Sequence, residues 1–147
     1  LNAALMLRGE EGGGFTTIDL LALQRPTGAG TLYKYGAAPS YLKRGGCVTR
    51  VTGQSLPAGL QQGADGPEST RLSLQAGSFF VMVSDGVADE TDDEWLQNLM
   101  AGWSGQSAEA LASLILSESR TRRGLRDDCA VLVLHLPKME DSPPRQV

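Results

Sequence analysis

The chain has 147 residues, of which 41% are hydrophobic and 20% charged, with a formal net charge of -4. That composition is globular rather than disordered or fibrous, and its acidity argues against a dedicated nucleic-acid binder, whose footprint would be basic. Two cysteines and one histidine cannot build a disulfide framework or a zinc cluster. Apolar runs such as Phe79–Val83 fall far short of the ~20 residues of a spanning helix, and no signal-peptide pattern opens the sequence. A cytoplasmic domain making no membrane contact of its own is the expectation.

Leu1–Leu7 carries helical spacing at Leu1, Ala4 and Leu5, and Glu10–Gly14 reads as a loop. Phe15–Gln24 predicts a strand, Pro26–Gly30 a turn and Thr31–Tyr35 a second strand. Tyr41–Arg44 and Cys47–Val51 flank Gly45-Gly46, a two-residue hairpin signal. Residues 53–68 are rich in Gly, Pro and Gln and carry no regular pattern. Thr70–Leu74 alternates, and Phe79–Val83 is apolar throughout, as expected of a strand covered on both faces.

Two helices follow. Thr91 and Glu94 have capping-box spacing, and Trp95, Leu96, Leu99, Met100 and Trp103 form one apolar stripe, read as core. Ser107 starts the second helix, with Ala108, Leu111, Ala112 and Ile115 inward, and Arg120, Arg122 and Arg123 before a terminating Gly124. Cys129–Leu136 predicts the last strand, and Pro137–Val147 a flexible tail. Cys47 and Cys129 read as buried fillers, and His135 as a structural or rim residue.

Two clusters carry chemistry. Ser84-Asp85-Gly86 follows the most apolar strand; Asp-Gly is a common turn pair, but a carboxylate at a strand end is also well held. Asp127-Asp128 precedes the last strand, where its repulsion requires a cation: Arg123, Arg126 or a metal ion. If the two strands end at one rim, Asp85 and Asp127 converge on an oxygen-rich site suited to a hard divalent cation. Metal-assisted hydrolysis is then the chemistry available without a His or Cys nucleophile system or a phosphate loop. The acidic run at Asp89, Glu90, Asp92, Asp93 and Glu94 complements a helix N-terminus and could enrich cations near Asp85. One of the arginines of the 120–126 stretch is a candidate phosphate contact, with Arg123 and Arg126 the choices.

Four segments in order, Tyr33–Gly46, Ser55–Gly59, Val81–Val87 and Arg126–Val131, resemble the metal-dependent PP2C-type serine/threonine phosphatases. Their nearest branch is the catalytic domain of stage II sporulation protein E. The resemblance implies an α+β fold, an antiparallel β-sandwich flanked by helices, present over residues 1–136 as a partial domain. It also implies two Mn²⁺ or Mg²⁺ ions, with Asp85 and Asp127 as metal ligands and Ser84, Gly86 and Asp128 supporting them. The implied substrate is a phosphoserine protein of the anti-sigma factor antagonist type, on the cytoplasmic side of a parent that can be membrane-anchored. The family's earlier Asp-Gly-x-Gly motif is absent and Ala130 replaces a Thr or Ser, so the chain reads as a C-terminal portion, inactive alone. The competing reading is a non-catalytic regulatory domain on the same scaffold.

Overall fold

The computed structural model describes residue 5 and residues 14–25, 27–60, 66–124 and 127–138, the side chain of Arg123 excepted. Among the described residues, seven strands and two helices are complete enough to bound: β1 (Ile18–Leu23), β2 (Ala29–Tyr35), β3 (Ser40–Arg44), β4 (Cys47–Val51), β5 (Glu68–Ser73), β6 (Phe79–Val83), α1 (Glu94–Gly102), α2 (Ala108–Arg123) and β7 (Val131–His135). The strands form two antiparallel sheets, ordered β1-β2-β5 and β4-β3-β6-β7. The helices lie on the four-stranded sheet, so the expected helix-flanked sandwich is present.

Alternation along the strands explains the layering, because successive side chains point to opposite faces. On β6, Phe80 and Met82 join Leu32, Leu42 and Leu74 between the sheets. Phe79, Val81 and Val83 point the other way, into a second core with Leu96, Met100, Leu111 and Ile115 of the helices. The strand that is apolar at every position is thus the one sandwiched between both cores. Trp95, Leu96 and Met100 are buried and Leu99 and Trp103 pack against them, as the helical stripe predicts. His135 stacks on Phe79, with ring centroids 4.0 Å apart, in keeping with a structural role.

Local chemistry sets several boundaries. The hairpin turns at Gly45-Gly46, with Arg44 opposite Cys47 and Gly45 at φ 57°, the left-handed position that such a turn reserves for glycine. Ser107 accepts the Ala110 amide and caps α2, while Gly124 at φ 68° ends it. The first strand begins at Ile18 rather than Phe15, which is exposed, and Thr16 instead bridges Ala58. The second strand begins earlier than expected, at Ala29, because Gln24 and Ala29 close a tighter turn.

Two expectations are corrected. The Thr91–Glu94 capping box does not form: Asp89 accepts both the amide and the hydroxyl of Thr91, and Asp93 occupies the cap position without a side-chain cap bond. Cys47 is exposed at the hairpin rather than buried, while Cys129 is half-buried against the helical core. Of the expected first helix, Leu5 is described and is helical. The rest of Leu1–Leu7 and residues 139–147 of the expected tail lie outside the described residues.

Candidate metal centre

Antiparallel pairing of β6 with β7 places Val83 opposite Val131, so the exit of one strand and the entry of the other share a rim. The pairing continues past the strands. The Ser84 amide donates to the Ala130 carbonyl at 3.0 Å. The Ser84 hydroxyl donates to the Asp128 carbonyl at 3.1 Å and accepts the Ala130 amide at 2.9 Å. Ser84 is therefore a staple between the two acidic motifs.

Gly86 explains how closely they approach. A Cβ there would sit 2.3 Å from the Asp128 carbonyl oxygen and 3.4 Å from the Asp127 Cβ, so any side chain would push the motifs apart. The Gly86 amide donates to Asp85 Oδ1 and the Asp128 amide to Asp127 Oδ1, orienting each carboxylate on its own turn. The Cys129 thiol donates to the Gly86 carbonyl beneath them. Asp85 and Asp127 line one cleft of about 640 Å³ with Asp89, Asp92 and Arg122. The expected convergence of Asp85 and Asp127 is what the strand pairing produces, with Ser84, Gly86 and Asp128 at the junction.

Asp85 also borders a second, smaller cavity of about 250 Å³, walled by Thr17, Asp19, Gly36, Ala37, Ala38 and Ser84. Beside it lies a cluster that sequence reasoning missed. Lys34 is 2% exposed, and its ammonium donates to both Asp19 oxygens at 2.7 and 2.8 Å, to the Ala38 carbonyl at 2.7 Å and to Ser40 Oγ at 3.0 Å. Ser40 in turn donates to Asp19. Burial holds the Lys34 pKa below the usual lysine range, against the opposing hydrogen bond and charge of Asp19. The signal was available: Asp19 shares the inward register of Leu21 and Leu23, where a charge demands a partner, and Lys34 lies directly opposite it.

The loop carrying the acidic run is anchored from the far side. Asp93, buried at the start of α1, accepts from the Tyr41 hydroxyl at 2.8 Å, from Arg50 Nε at 2.5 Å and from Gln97 at 3.0 Å. Burial, then Asp93, push the Tyr41 phenol pKa well above its usual value. So the run divides: Asp93 is structural, whereas Asp89 and Asp92 face the cleft. Arg126 and the Arg123 side chain lie outside the described residues; the arginine brought to the cleft is Arg122.

Two carboxylates on a solvent-open rim fit an ion such as Mg²⁺ or Mn²⁺, which takes oxygen ligands and retains waters. Among the described residues, no group of three or more His, Cys, Asp or Glu side chains gathers as a metal site.

Comparisons with known proteins bear on the family and the fold. The family model for stage II sporulation protein E (SpoIIE) matches residues 1–137. Stage II sporulation protein E of Bacillus subtilis is 31% identical over 129 residues, covering 83% of this chain and 16% of that protein. Its counterpart in Priestia megaterium is 28% identical, covering 88% of this chain and 24% of the relative. The structure of the PP2C phosphatase domain with a fragment of the regulatory domain of SpoIIE from Bacillus subtilis superposes with a TM-score of 0.78 at 28% identity, over 92% of this chain and 43% of that one. The manganese-presoaked phosphatase domain of the same protein gives 0.70 at 28% identity, over 87% of this chain and 58% of that one. The chain spans under a quarter of the length of the curated relatives it matches. With the sandwich, the flanking helices and the paired acidic motifs all in place, the chain belongs to the stage II sporulation protein E family and has the fold of its PP2C phosphatase domain.

Proposed function

We propose that the chain supplies the C-terminal part of a metal-dependent protein serine/threonine phosphatase domain that hydrolyses a phosphoserine protein of the anti-sigma factor antagonist type in the cytoplasm. The observation that carries the reading is the Ser84 staple, which holds Asp85 and Asp127 on one cleft. Asp85 and Asp127 are the ligands for Mn²⁺ or Mg²⁺, and Ser84, Gly86 and Asp128 fix their spacing and orientation. Bound divalent ions would supply a water activated at neutral pH and charge neutralisation for the phosphoryl oxygens, so that no phosphoenzyme is needed. Asp89 and Asp92 add negative potential at the cleft mouth and raise the local cation concentration. No described helix is long and apolar enough to cross a membrane.

Two carboxylates bind a divalent ion weakly, and we infer that the isolated chain turns over little substrate. The test is Mn²⁺-dependent release of phosphate from a phosphoserine peptide, by the 147-residue chain and by the whole protein containing it. Activity confined to the whole protein, and lost there on Asp85→Asn, is the expected outcome. Robust turnover by the chain alone would overturn its proposed inactivity. The absence of a three-ligand group among the described residues favours a second reading, a non-catalytic regulatory domain. An inactive whole protein would establish that one.

A further inference from the structure

We propose that Arg122 binds the phosphate of the substrate: its guanidinium, resting on the Trp95 ring at the mouth of the acidic cleft, receives the dianionic phosphomonoester. The inference rests on the reading of Asp85 and Asp127 as ligands of divalent metal, and adds the protein group that faces them.

Three observations carry it. Arg122 lies in the last turn of α2 and lines the cleft that holds Asp85 and Asp127. Among the described residues it is the one cation lining that cleft, together with Asp85, Asp89, Asp92 and Asp127. Among the described residues lining the cleft, this guanidinium is the group whose charge attracts a dianion.

The second observation is how Arg122 is held. Its guanidinium carbon is 5.4 Å from the centroid of the Trp95 ring. Trp95 is itself buried in the helical core, so the platform is rigid. A cation–π contact of this kind uses the guanidinium's charge and not its N–H donors, which stay available in the fork that matches phosphate oxygens.

The third is what else Arg122 does. Its ion pair is with Glu118, one helical turn back, at 3.6 Å, and both side chains are substantially exposed, 53% and 41%. A pair of that kind contributes little and exchanges readily. Among the described residues its five donors therefore meet one long contact, and a phosphate can take the fork without dismantling any buried structure.

A purely electrostatic role, in which Arg122 offsets the carboxylates of the cleft, makes different demands. Offsetting charge needs only a cation, whereas gripping phosphate needs the planar fork. The test is steady-state kinetics of the whole protein with Arg122→Gln and Arg122→Lys, on a phosphoserine peptide with Mn²⁺, together with inhibition by inorganic phosphate. The expected result for Arg122→Gln is a KM raised about 10- to 100-fold with kcat nearly unchanged, and phosphate inhibition weakened in parallel. Arg122→Lys should recover part of that loss. Removing positive charge should also tighten Mn²⁺ binding, so the metal and phosphate affinities should move in opposite directions. An unchanged KM in Arg122→Gln, a loss carried by kcat alone, or full recovery by Arg122→Lys would overturn the proposal. If Arg122→Gln melts early, the phosphate inhibition constant of Arg122→Lys decides. A wild-type protein inactive towards phosphoserine peptides would instead refute the metal-site reading.

Discussion

Asp19 and Asp85 border the same small cavity at one end of the sandwich, yet the fold treats their charges in opposite ways. Asp19 sits between the sheets, chelates the Lys34 ammonium through both oxygens and accepts from Ser40. Asp85 stands on a turn just past β6, exposed to the cleft, with its orientation set by the Gly86 amide. A carboxylate neutralised internally can only hold structure, because every exchange would strand a buried lysine. A carboxylate on an open rim can change partners, which binding a metal requires. The difference comes from position: the inward register of β1 forces neutralisation on Asp19, whereas a turn beyond the strand end leaves Asp85 in water.

The comparison breaks most sharply through Lys34. Replacing it with Met leaves Asp19 buried without its counter-charge, and chemical denaturation should show a loss of about 3–5 kcal/mol. The paired change Asp19→Leu with Lys34→Met removes both charges and should restore most of that stability. If the single and double variants unfold alike, the cluster is not an energetically coupled pair. On the rim, Ser84→Ala deletes the hydroxyl that ties Asp128 to Ala130 while leaving the cores untouched. Mn²⁺ affinity followed by electron paramagnetic resonance should fall about 10- to 100-fold with little change in folding. A large loss of stability with unchanged affinity would reverse the roles assigned to the two regions.

The smallest effect concerns pH, through the anchor behind the acidic loop. The folded pKa of Tyr41 lies above its ordinary 10.0, so folded protein keeps the phenolic proton where the unfolded chain releases it. This stabilisation is fully present below pH 10.0 and declines above it, by at most ~1.4 kcal/mol per pH unit. Lys34 acts with the opposite sign. Its folded pKa lies below 10.5, so its contribution rises with pH until the unfolded lysine has also lost its proton. Tyr41→Phe should therefore flatten the alkaline decline in unfolding free energy relative to wild type; an identical decline would show that the Tyr41–Asp93 contact carries no such linkage.

Features governed by neighbours in sequence were legible in it. Phe79–Val83, the Gly45-Gly46 hairpin, the Ser107 cap and the tryptophan stripe each depend on residues a few positions away. The failures have long-range causes. Thr91 has the spacing of a cap, but Asp89 takes its hydroxyl, and Tyr41 and Arg50 of another layer draw Asp93 into the cap position. The candidate site was legible as two motifs, but the Ser84 staple required knowing that β6 and β7 pair. Resemblance supplied the roles proposed for Asp85 and Asp127; periodicity could not.

The Ser84 staple joins two stretches of chain far apart in sequence, and a cation shared by Asp85 and Asp127 would join them a second time. Such an ion binds the folded chain and has no comparable site on the unfolded one, so it acts as a reversible cross-link whose strength depends on its concentration. The supply of divalent metal would then govern how long the domain stays folded as well as whether it can catalyse. A metal-starved protein would be shorter-lived, not merely idle.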